Sequence, residues 1–309
     1  MNVTTGVYNN SPGRDVSYTG PLYTTIVVMC LIQSAVACLG NLLTVVIIWR
    51  TPSLHTVTNR YILSLAVADF LAGILALFST LWYIDADLEN FLSACKYCCL
   101  FYYVFLFGTF EASMSNMTMI ALDRLVFIVY PFVYERYATG ANANSLISLS
   151  WCVTIAFSVL PLKLNRFDDV GTCLQLEVLS KEYQVVGVGT VLVSSLAAVT
   201  ASYASILVVA KKQRAAISAR VNNNYSANHV ANRRQISVFV LICVISFVCW
   251  VPYYTCMIMG VTVGVSYDVF NFCAVLGLVN SAINFILYSY MNKDFRKSFS
   301  TQMCRCRKR

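Results

Sequence analysis

The feature that most constrains this chain is a series of long stretches without a single Asp, Glu, Lys or Arg. They run 16–49, 61–68, 70–84, 97–110, 112–122, 137–162, 183–210, 235–267 and 269–292. A bilayer core takes about 20 apolar residues per helical span. Stretches 16–49, 137–162, 183–210, 235–267 and 269–292 supply one span each. Tyr61 to Tyr83 supplies another, interrupted by Asp69. Cys95 to Val129 supplies the seventh, interrupted by Glu111 and closing with Asp123 and Arg124. A soluble helix needs a wet face, and charge-free runs of this length leave none. Composition agrees, since 12% of the 309 residues are charged against about 25% in soluble domains. The expected fold is an all-α membrane protein, a seven-transmembrane helix bundle.

Orientation follows from the basic residues. Segments 50–60, 124–145, 211–234 and 291–309 hold 17 of the 22 Lys and Arg, whereas the opposite ends hold nine of the 14 acids. The positive side stays in the cytosol, so the N-terminus is extracellular. The net charge of +8 then reflects attraction to anionic inner-leaflet lipid and is no footprint for nucleic acid. This divides the chain into an extracellular tail (1–23), the bundle (24–290) and a cytosolic end (291–309). Residues 1–23 lack a basic flank before an apolar core, so no cleavable signal peptide is expected and the first helix serves as its own insertion signal. Asn2 and Asn9 stand in glycosylation sequons on the outside tail.

The connections read as short. The outer segment 84–94 is an acidic loop, Pro131 marks the exit of helix three, and helix four covers about Ser145 to Leu162. The outer loop 163–182 contains Cys173, and the inner loop 211–234, with six basic residues and Asn222 to Asn224, reads as mobile. Phe295 and Phe299 lie four apart among Lys293, Arg296 and Lys297, a spacing that suits a short amphipathic helix on the inner leaflet after the seventh span. Cys304 and Cys306 follow it beside Arg305, Arg307, Lys308 and Arg309. They are palmitoylation candidates, and lipid plus basic charge would make a two-signal anchor.

The polar residues inside the spans carry a known order of motifs. Gly40-Asn41 stands in helix one and Ser64-Leu65-Ala66-Val67-Ala68-Asp69 in helix two. Asp123-Arg124-Leu125 closes helix three, with Ile128 and Pro131 beyond it. Trp151 is in helix four, Cys249-Trp250-Val251-Pro252 in helix six, and Asn280-Ser281 and Asn284-Phe285-Ile286-Leu287-Tyr288 in helix seven. From about residue 25 to 300 the chain resembles rhodopsin-like G-protein-coupled receptors. Three departures stand out: Leu125 where Tyr is expected, Phe285 where Pro is expected, and Ser195 at the place of the usual helix-five proline. The last, with Asn292-Lys293-Asp294-Phe295-Arg296, is similar to the adenosine, melanocortin and cannabinoid branch.

The resemblance implies a plasma-membrane receptor that passes an extracellular signal to a heterotrimeric G protein. It implies that Arg124 pairs with Asp123 at rest and is freed on activation, with Tyr203 and Tyr288 swinging in beneath it and Phe132 beside Pro131 as an apolar knob. It surrounds Asp69 with Ser113, Asn280, Ser281 and Asn284, a set suited to a sodium ion; a structural hydrogen-bond network without an ion is the alternative. It places a disulfide between Cys99 and Cys173, with Cys95 and Cys98 as competitors. A zinc cluster is the other reading of these thiols, but no histidine is available to it, because His55 and His229 are cytosolic. The implied pocket lines Leu106, Phe107, Phe110, Tyr253, Tyr254, Met257 and Phe270 above Trp250. Leu106 stands where amine receptors carry an Asp, and Leu278 where opsins carry a Lys, so neither a simple amine nor retinal is the expected ligand. A small molecule, a lipid or a peptide stays open. Glu111 either faces the pocket or is protonated and hydrogen-bonded within the bundle. No Ser/His/Asp, metal or phosphate-loop constellation points to an enzyme. No acid stands between Glu182 and Asp268, and the family's resting-state acid falls near Asn232, so ligand-independent signalling is expected. The rivals are a decoy that binds without signalling, kept alive by Leu125 and Phe285, and a transporter, which would need interrupted helices in matching halves.

Overall fold

The computed structural model describes residues 21–218, 226–291 and 293–306. Seven of its helices are long and apolar enough to cross a membrane: Tyr23–Arg50, Val57–Ile84, Lys96–Val129, Gly140–Leu162, Tyr183–Lys212, Val244–Thr262 and Tyr267–Ser289. Helix is what apolar chain must form in lipid, because every backbone N–H and C=O has to be satisfied within the segment. Among the described residues the only β pairing is one isolated bridge, between Asn165 and Leu179. Span three is central, packing against spans two, four and five. Span one lies along two and seven, and span six along seven and five. Leu39, Phe105 and Leu149 are exposed on the outside of the bundle, facing lipid.

Several boundaries differ from those read in the sequence. The first helix begins at Pro21, inside the segment assigned to the tail; proline favours a helix start because its missing N–H would be unpaired there anyway. The acidic outer segment is a helix, Ala86–Ala94, capped by the Asp85 carboxylate, which accepts from the backbone N–H groups of Asp87 and Leu88. Pro131 ends span three and also opens a short inner helix, Pro131–Tyr137. The fourth helix starts at Gly140, five residues before the expected Ser145, because Thr139 caps it through the Asn142 N–H. Span five continues as helix to Ser218 through Lys211, Lys212 and Gln213, which are good helix formers in water. The next helix opens at Ser226, and Asn222 to Asn224 lie outside the described residues.

The helix after the seventh span runs Lys293–Cys306. Phe295 is buried against Ile47, Ile48 and Leu54, with Phe299 beside it. This fixes the terminal helix against the inner end of span one. The side chains of Cys304 and Cys306, and all of the tail with Asn2 and Asn9, lie outside what the structure describes.

Candidate functional site

The inner end of the bundle is organised around Arg124. Its Nε donates to Asp123 Oδ2 at 3.0 Å. Thr58 Oγ1, from the first turn of span two, donates to the same oxygen at 2.8 Å. Arg124 Nη2 also donates to Thr58 Oγ1, so threonine, aspartate and arginine close a triangle. The guanidinium lies 4.9 Å above the Phe127 ring. Tyr134, on the short inner helix, adjoins this triangle, and its phenol is pushed above the usual tyrosine value by burial and by the charge of Asp123. Tyr288 on span seven donates to Asn59 Oδ1 at 2.9 Å. Tyr203 is buried with Ala121, Val199 and Ile206, against Leu125 and Ile128. Phe132 is 86% exposed. Thr58 and Asn59 had not been singled out in the sequence, where nothing sets them apart from the other polar residues of the 51–60 turn.

Midway along the bundle Asp69 is fully buried. Ser113 Oγ donates to Oδ1 at 2.8 Å and Asn284 Nδ2 to Oδ2 at 2.9 Å; Ser281 is buried close enough to act on the carboxylate. Asn280 is buried nearby but turned away from it, its Oδ1 accepting from Ser246 at 3.2 Å. Asn41 ties span one to this layer through Ser281 O at 3.2 Å. Trp151 donates to Ser64 Oγ at 2.9 Å, joining spans four and two. Phe285, at the place of the expected proline, lies against Gly40: a Cβ there would sit 2.4 Å from its ring. Glycine in span one is what makes room for that phenyl group.

At the outer end, Cys99 is bonded to Cys173. Cys95 and Cys98 are bonded to each other. They therefore do not compete for Cys173, and no thiol of the four is left for a metal. A three-residue separation on one helical turn brings the second pair together. The loop beyond Cys173 folds inward. Arg166 N–H donates to Val178 O at 2.7 Å and Ser180 N–H to Leu164 O at 3.1 Å; Gly171, at φ +63°, makes the reversal between them. Lys96 pairs with Asp168 over this loop.

The residues expected around a pocket pack against one another. Phe107, Phe110, Trp250, Tyr253, Met257 and Phe270 share one buried cluster, with Leu106 and Tyr254 packed against it. The Phe110 and Trp250 rings are 4.4 Å apart, and Gly277 lets the indole approach span seven, since a Cβ there would lie 2.8 Å from it. Gln175, unrecognised in the sequence, reaches down from the loop and donates to the Tyr253 hydroxyl at 2.7 Å. Span five opens with a π-helical turn, Tyr183–Val188, and Tyr254 donates to Val185 O within it at 2.8 Å. Gly189 is required there, because a Cβ would lie 1.9 Å from the Tyr254 hydroxyl. Glu111 is buried in the same region.

Seven spans, a basic inner face, a disulfide-held outer loop over an aromatic cluster and an Asp-Arg pair at the inner end define a membrane receptor of the seven-helix type. Residues 40–288 match the 7 transmembrane receptor (rhodopsin family), and the chain belongs to that family. It is 25% identical to a QRFP-like peptide receptor of Branchiostoma floridae, over 92% of this chain and 78% of that one. It is 28% identical to a histamine H2 receptor of Cavia porcellus, over 92% and 80%. It is 26% identical to a cannabinoid receptor type 1B of Takifugu rubripes, over 91% and 63%. The protein is thus a multi-pass plasma-membrane G-protein-coupled receptor and not an enzyme.

Proposed function

We propose that this receptor catalyses nucleotide exchange on a heterotrimeric G protein when an extracellular ligand binds among the aromatic residues beneath the Cys173 loop, and that the geometry above is its resting arrangement. The observation that carries the reading is the triangle of Arg124, Asp123 and Thr58. An arginine whose Nε and Nη2 are engaged by a buried carboxylate and a hydroxyl is withheld from a cytosolic partner. Tyr288, held by Asn59 on span two, is likewise kept from moving under Arg124. Activation then consists of releasing Arg124, letting Tyr203 and Tyr288 close the space beneath it, and presenting Phe132 beside Pro131 to an apolar recess of the G protein. The three relatives act on a peptide, an amine and a cannabinoid by their names, at similar identity, so sequence likeness does not single out one ligand chemistry.

A sodium ion fits the Asp69 layer as a resting-state ligand. Asp69 supplies the negative charge, and Ser113, Ser281 and Asn284 converge on it, with Asn280 bonded to Ser246 beside them. An ion bound there supplies a counter-charge to a carboxylate that is otherwise costly at this depth.

The test is a ligand screen with a promiscuous G-protein reporter. A ligand that raises output in the wild type and not in Arg124→Ala, at matched surface expression, supports the reading. A ligand that binds tightly and raises output through no G-protein class overturns it in favour of a decoy.

A further inference from the structure

A buried polar atom without a hydrogen-bond partner is costly, and native proteins keep few of them. In the outer half of this bundle both carboxylate oxygens of Glu111 and the hydroxyl of Tyr183 are buried and have no partner. The residues are 3% and 2% exposed, so bulk water does not reach them. They belong to one locality. Phe107 precedes Glu111 by four residues and shares its helix face, and the Tyr183 ring meets the Phe107 ring edge-on at 5.4 Å. Glu111 and Tyr253 are also the groups that act electrostatically on the Tyr183 hydroxyl. The π-helical turn Tyr183–Val188 places Tyr183 at this point; turns of this kind recur at functional sites.

The spans around Glu111 supply no cationic partner. No Lys, Arg or His stands in 97–123, 183–210, 235–267 or 269–292, which comprise the membrane-spanning parts of helices three, five, six and seven. A counter-charge for an ionised Glu111 therefore comes from outside these spans. The surroundings favour a cation on a second ground, since Phe107, Tyr183 and Tyr253 gather aromatic rings here, and ring faces attract cationic groups once water is excluded.

We propose that Glu111 and Tyr183 anchor the receptor's ligand, and that this ligand carries a cationic nitrogen (ammonium, amidinium or guanidinium) on an apolar or aromatic body. The assignment rests on the receptor reading above and names its ligand class. The anchor lies five residues further along span three than Leu106, about 7.5 Å deeper at the rise of an α-helix. The absence of an acid at Leu106 thus relocates the cation's partner toward span five.

The experiment uses the purified full-length receptor in lipid nanodiscs and reads thermal unfolding with matched probe pairs. The cationic members are tryptamine, phenylguanidine and benzamidine; their neutral counterparts are tryptophol, phenylurea and benzamide. The expected result is stabilisation by at least one cationic probe and by none of its neutral counterparts. Glu111→Gln should weaken that probe at least about ten-fold, as expected for losing a charge-assisted hydrogen bond, and Tyr183→Phe about three-fold. Probe-free Glu111→Gln should unfold no lower than wild type, because it removes an unpaired buried carboxylate. If Glu111→Gln does not fold, the proposal is overturned, because the carboxylate is then a structural partner; Tyr183→Phe reports on the anchor independently of it. Stabilisation by neutral probes alone, by no cationic probe, or by a cationic probe whose affinity stays within about two-fold in Glu111→Gln, also overturns it. No G protein takes part in this measurement. A receptor that binds the cation and fails to signal would remove the signalling reading and leave this one standing.

Discussion

Replacing Thr58 with valine is expected to raise ligand-independent signalling. The hydroxyl donates to Asp123 Oδ2 at 2.8 Å and accepts from Arg124, so valine keeps the shape and removes both bonds. Hydrogen bonds to charged groups contribute about 1.5–3 kcal/mol. The Arg124 side chain is 19% exposed and that of Asp123 4%, so some of this is returned by water, and about 1.5 kcal/mol is the appropriate figure. That corresponds to about a ten-fold change in the resting-to-active ratio. A receptor with about 1% of molecules active at rest, within the usual range for a minor state, would rise to about 10%. The assay is a G-protein reporter in cells matched for surface receptor, comparing wild type, Thr58→Val, Thr58→Ser, Asn232→Glu and Arg124→Ala. Basal output should rank Thr58→Val first, with Thr58→Ser close to wild type. Asn232→Glu should fall below wild type, because it returns an acid to a region that has none between Glu182 and Asp268. Arg124→Ala should be silent. Thr58→Val output at or below wild type would refute the reasoning, since the triangle would then not be what holds Arg124.

Three further outcomes are expected. Cys99→Ala should lose surface expression or ligand binding, because a loop bridge of this kind contributes about 2–4 kcal/mol and positions Gln175 over Tyr253, while Cys95→Ala and Cys98→Ala should be mild by surface labelling; the reverse order would contradict the pairing. Gly40→Ala should lower the unfolding temperature by an overpacking cost of about 1–3 kcal/mol, and Phe285→Leu should recover much of it in the double variant; additive losses would show that the two do not share the space. Agonist affinity should fall as sodium rises in wild type and be insensitive to sodium in Asp69→Asn, with a flat wild-type response rejecting the ion and leaving a hydrogen-bond layer.

The seven spans were legible because transfer of charge into lipid is so unfavourable that the absence of Asp, Glu, Lys and Arg marks depth directly. The motif residues were legible for a related reason, since polar groups such as Asp69, Asn280 and Arg124 persist in spans only where something uses them. The outer helix Ala86–Ala94 left a readable sign in Asp85 followed by Asp87 and Glu89, an N-cap with acids in the first turn, which the reading as a loop passed over. Thr58, Asn59 and Gln175 carried no sign, because their importance lies in partners 65, 229 and 78 residues away. The Cys95–Cys98 bond depends on a local turn at the start of span three, and spacing alone could not choose between that pairing and competition for Cys173. The fit of Phe285 against Gly40 is likewise a contact between the first and last spans, visible only once they are packed.

The most direct test of the account is the rate of nucleotide exchange on purified heterotrimers of each Gα class, measured with the receptor in lipid nanodiscs. Wild type and, more strongly, Thr58→Val should accelerate exchange on at least one class above its spontaneous rate, and Arg124→Ala should not. Spontaneous rates throughout for wild type and Thr58→Val, or equal acceleration by Arg124→Ala, would contradict the claim that this receptor works by releasing Arg124 to a G protein.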